Sequence, residues 1–193
     1  KGGLTGGRDV DALAAHVDLI PTLIDLCGVK KPTAAAFDGR SLGPLLRGEV
    51  TEWPDREIFG QFRQSTDPPE KWKAAVLTKR WRLIGGRQLY DMVAQPGQKQ
   101  DVAGAHPDVV ARLREAYEAW WAAVSPGFQQ RQPIVLGSRA ENPTALSSFD
   151  WHTRTAWSQG QVRAGTPVSG FWAVKIAQAG PYEIGLRRWP AEI

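Results

Sequence analysis

Residues 107–124 carry the longest periodic apolar pattern in the chain, and that pattern limits the fold more than any other feature. Val109, Val110, Leu113, Tyr117, Trp120, Trp121 and Val124 recur at three- and four-residue spacing, so they share one side of a helix. Arg112, Arg114, Glu115 and Glu118 fall mostly toward water. Pro107 suits the first helical turn, where its missing N–H costs little. Pro126-Gly127 ends the run. The residues just upstream read as the sheet this helix covers. Ala75-Val76-Leu77, Trp81-Arg82-Leu83-Ile84 and Gln88-Leu89-Tyr90 are short strand-like runs separated by Lys79-Arg80 and Gly85-Gly86, which predicts an antiparallel meander. Ile58–Phe62 predicts a further strand.

Nearer the start, residues 1–11 read as a Gly-rich loop. Ala12–Val17 predicts a short strand. Asp18 is placed to cap a helix with its carboxylate, and Pro21 falls in its first turn. Ile20, Leu23, Ile24 and Cys27 form an apolar face on that helix, and Gly28 closes it in the left-handed conformation. Residues 29–57 are punctuated by Pro32, Asp38-Gly39, Pro44, Gly48 and Pro54, with one helical turn expected at Ser41–Leu46, capped by Ser41. A boundary falls within 125–150. Beyond it Gly170–Ile176 and Tyr182–Trp189 alternate like strands with one buried face.

Composition excludes several function classes. The net charge of +4 on 193 residues is spread among acidic neighbours, so no basic stripe for nucleic acid is present. Apolar runs fall far short of the roughly 18 residues that a membrane span needs. The single cysteine rules out an internal disulfide and a multi-Cys zinc site. Cys27, on an apolar helix face at the wrong end of the helix dipole for a thiolate, reads as structural. His16, His106 and His152 share no metal-binding spacing. His106 reads as the residue leading into the long helix. His16, at the end of the expected strand, is the one candidate for contact with a cleft. No nucleophile elbow, Walker loop or EF-hand occurs. Candidate catalytic and metal-ligating residues are therefore none.

Four segments resemble one family in a fixed order. His16-Val17-Asp18-Leu19-Ile20-Pro21-Thr22-Leu23-Ile24-Asp25-Leu26-Cys27-Gly28 is similar to the "vDllPTlldlaG" helix of arylsulfatase-type enzymes. Phe37-Asp38-Gly39-Arg40-Ser41-Leu42-Gly43-Pro44-Leu45-Leu46-Arg47-Gly48 resembles the "dGxSLxPLLxG" stretch that follows it. Trp81-Arg82-Leu83-Ile84 with Gln88-Leu89-Tyr90-Asp91 resembles the "rwrLi…eLYDl" strands. Gln95-Pro96-Gly97-Gln98, with Asp101-Val102-Ala103 and Pro107, resembles the link to the last helix, although Gln95 stands where the family has Asp. The tail, 131–193, resembles a β-rich appendix of some bacterial sulfatases that ends in a "GxYxixLRRWPxE" strand.

The resemblance implies an α+β chain, the C-terminal fragment of an alkaline-phosphatase-like α/β sulfatase fold. It assigns 1–57 to the end of the catalytic α/β domain and 58–130 to the C-terminal subdomain, a small antiparallel sheet packed by helix 107–124. It assigns 131–193 to a small β-rich appendix. It implies a sulfuric-ester hydrolase acting on aryl or carbohydrate sulfates, with a formylglycine made from Cys or Ser in a C/S-x-P-x-R motif and a divalent cation, usually calcium. Neither maps here: Cys27 is followed by Gly28, Val29, Lys30 and Lys31, so the motif's Pro and Arg are missing. This chain alone is expected to be inactive. Its expected partner, a sulfated small molecule or glycan, would be engaged through the missing catalytic half. The opening inside a Gly-rich turn reads as part of a longer polypeptide, with any secretion signal upstream. The parent enzyme is expected to be periplasmic or extracellular. Two alternatives remain: the same region of a phosphonate or phosphate monoester hydrolase, or a stand-alone carbohydrate-binding or interaction module. The tail tryptophans, Trp157 among them, either stack on sugar rings or pack the small sheet.

Overall fold

The computed structural model describes residues 4, 6, 7, 9–31, 33, 36–50, 52–63, 68–130, 132–153, 156 and 158–187. These divide into two compact units, one covering 1–63 with 69–125, the other 64–68 with 126–193.

The first unit is built on the expected meander. Strands β1 (Ile58–Gln61), β2 (Ala74–Leu77), β3 (Trp81–Ile84) and β4 (Gln88–Asp91) pair antiparallel in chain order. Register places Phe59 opposite Val76, Val76 opposite Leu83, and Leu83 opposite Leu89. That row crosses one face of the sheet. The long helix packs on it through Leu113 and Tyr117, both fully buried. It runs Pro107–Val124, as the periodicity predicts, and is α3 below. Val76, Trp81, Leu83 and Leu89 complete the core, flanked by Phe59, Trp72, Trp120 and Trp121. Each fully buried aliphatic side chain here contributes about 1.5–3 kcal/mol relative to exposure. The alternation of buried and half-buried positions in β3 follows the two-residue strand period. Trp72 lies in the left-handed region, with φ 66°. Its ring covers Gly86, where an added Cβ would come within 2.7 Å of it.

The segment before the sheet departs from expectation in three ways. Residues 12–15 form no strand. They lead into a 3₁₀ turn at His16–Asp18 that continues directly into α1 (Leu19–Leu26). Asp18 does not cap α1 with its side chain. A capping residue needs extended φ/ψ, and Asp18, at φ −82° and ψ −16°, already lies in the helical turn. The expected apolar face is not buried either: Ile20, Leu23 and Cys27 are exposed, Ile24 is half-buried, and the buried position of α1 is Thr22. Gly28 does end the helix with φ 62°, while Val29 N–H donates to Ile24 O at 2.9 Å. A short helix α2 (Gly43–Arg47) follows, and the Ser41 hydroxyl accepts from Gly43 N–H at 3.0 Å.

The second unit consists of short pieces. β5 (Ile134–Leu136) pairs parallel with β8 (Val174–Ile176), and β6 (His152–Thr153) pairs antiparallel with β7 (Gly170–Phe171). Helix α4 (Gln159–Arg163) is capped by the Ser158 hydroxyl, which accepts from Gln161 N–H. Trp151 and Trp172 meet edge to face at 5.6 Å, and Trp172 Nε1 donates to Ser147 O. The single run expected over Gly170–Ile176 is thus split between β7 and β8, which join different sheets. The strand expected from Tyr182 onward is absent over residues 182–187. Ile184 and Leu186 there are more than 80% exposed, and a strand needs a neighbour to satisfy its backbone. Trp157 and Trp189 lie outside the described residues.

Candidate functional site

The polar centre of the first unit is Asp18. Its carboxylate accepts from Ala15 N–H and Arg40 N–H, each at 2.8 Å, and pairs with the Arg56 guanidinium. Arg56 also donates to Leu13 O. Both charges are buried, Asp18 completely. One carboxylate thus ties the incoming chain, the loop after α1 and the segment before β1 to one point. Thr22 extends the seam: its hydroxyl donates to Asp18 O at 2.6 Å and accepts from Leu42 N–H at 2.9 Å. Asp25 ends it, accepting from the Ser41 hydroxyl and pairing with Arg47 at 3.1 Å. Positions 18, 22 and 25 lie on one side of α1, so its polar stripe is the side held within the unit.

Burial alone would raise the Asp18 carboxyl, but hydrogen bonds from Arg56, Arg40 and Ala15 hold it below 3.8. The Ser41 hydroxyl and Arg47 lower Asp25, Arg80 lowers Asp91, and Lys71 lowers Glu118. A carboxyl whose pKa is lower in the folded state contributes stability above its unfolded value. That contribution disappears as pH falls through the folded value. Tyr117 moves the other way: burial raises it above 10.0, so its contribution is lost as pH rises through the folded value. The urea midpoint is therefore expected to stay near level between about pH 5 and 9 and to fall on both sides. A midpoint that climbs below about pH 4 would contradict the assignment.

Beside the Asp18 seam lies an open groove of about 330 Å³, lined by Asp9, Asp11, Leu13, Trp53, Asp55 and Lys79 among others. Trp53 Nε1 is buried with no hydrogen-bond partner among the described residues. Asp55 Oδ1 is occupied, accepting from Arg56 N–H and Lys79 N–H. Residues 53–56 lie in the stretch expected to be irregular, and only the fold brings them to Asp9, Asp11 and Lys79. His16 is exposed on the turn leading into α1, and His106 packs against Trp81 at 4.8 Å. His152 lies in the second unit, stacked on Phe171.

The described residues fit neither a formylglycine nor a calcium site. No three His, Cys, Asp or Glu among them stand close enough to hold a metal ion. Cys27 sits exposed at the C-terminal end of α1. No helix among the described residues is long and apolar enough to cross a membrane. Fold and seam together define an α+β region that anchors one helix to a sheet-and-helix subdomain.

Comparison with known proteins supplies the family. Over 108 residues the chain is 34% identical to the Delta 4,5-hexuronate-2-O-sulfatase of Bacteroides thetaiotaomicron, a match covering 50% of this chain and 21% of that protein. It is 24% identical over 110 residues to an N-acetylglucosamine-6-O-sulfatase of the same organism, covering 52% and 19%. A solved 2-O GAG sulfatase shares the fold with TM-score 0.50 and 24% identity, over 67% of this chain and 30% of that one. No family model matches. With the motif order, these likenesses support a sulfatase-type region that corresponds to the C-terminal part of such proteins. It spans about a fifth of the length of the curated relatives it matches.

Proposed function

We propose that this region belongs to a sulfuric-ester hydrolase acting on carbohydrate sulfates, whose nucleophile and metal ligands lie in polypeptide outside these residues. The observation that carries the reading is the 34% identity to a hexuronate-2-O-sulfatase across half of the chain. Four ordered motifs in residues 12–124 support it. The role of this segment is architectural: it fixes α1 and its flanking loops beside the catalytic domain. His16, exposed on the turn before α1, is its candidate contact with the sulfated substrate. The complete enzyme uses a formylglycine and calcium in this reading and works in the periplasm or outside the cell.

The test compares two polypeptides with a chromogenic aryl sulfate and with sulfated disaccharides, each with added calcium. The 193-residue chain is expected to show no turnover above background. The polypeptide encoded by the complete reading frame is expected to release sulfate. Metal-dependent turnover by the short chain, or phosphate rather than sulfate release by the long one, would defeat the reading.

A further inference from the structure

We draw no further inference here: the strongest candidate, the open groove beside the Asp18 seam where Asp9, Asp11 and Asp55 meet Trp53 and Lys79, is an acidic cluster with no second observation among the described residues that points to a ligand, since its carboxylates do not converge closely enough to hold a metal ion and the unpaired Trp53 Nε1 is itself shut off from solvent.

Discussion

Asp18→Ala is expected to lower the urea unfolding free energy by about 3–5 kcal/mol, the cost typical of removing one partner from a buried ion pair. The substitution leaves Arg56 buried without a counter-charge, and it strips the acceptor from Ala15 N–H and Arg40 N–H. Each donor left buried and unpaired adds to the loss. Asp18→Asn is expected to cost less, because the amide oxygen still accepts from the backbone. Combining Asp18→Ala with Arg56→Met should recover part of the loss, because no uncompensated charge remains. A loss below about 1 kcal/mol in the single variant would mean that water, not Asp18, satisfies Arg56, as at exposed ion pairs.

Tyr117→Ala is expected to cost a similar amount, about 3–5 kcal/mol, the range for deleting a large buried aromatic side chain. Tyr117 is fully buried and stacks on Trp72 at 4.0 Å between ring centroids. Its hydroxyl accepts from Trp72 N–H at 3.1 Å and donates to Gln61 Oε1 at 3.0 Å. The ring and its hydroxyl thus hold Trp72 in its left-handed conformation over Gly86. Tyr117→Phe separates the two contributions. It keeps the ring but leaves Trp72 N–H unpaired, so it should cost about 1–3 kcal/mol. Urea titration of the three proteins at one pH checks the order wild type, Phe, Ala. A Phe variant as unstable as the Ala variant would show that the hydroxyl network, rather than the ring, carries the packing.

The two residues were not equally legible beforehand. Tyr117 belongs to a stripe repeated over five turns, and the stripe alone assigned it to the core. Asp18 stands before an apolar run, where a carboxylate ordinarily caps a helix. Its real partners, Arg40 and Arg56, lie 22 and 38 positions further along. No local spacing encodes such a distance. The groove beside it was hidden for the same reason: Asp9, Trp53 and Lys79 converge only once the chain has folded.

The sequence by itself determined α3, the four-strand meander and the ordered motifs that relate the chain to sulfatases. Those features rest on contacts between near neighbours, which repeat at the period of a helix or a strand. Tertiary structure alone decided the rotation of α1. Periodicity says which residues share a face; it does not say which face looks outward. Ile20, Leu23, Ile24 and Cys27 share one apolar side of α1, and the fold leaves all but the half-buried Ile24 exposed. Long-range hydrogen bonds to the buried Asp18 and Thr22 turned that side inward, because buried polar groups must find partners.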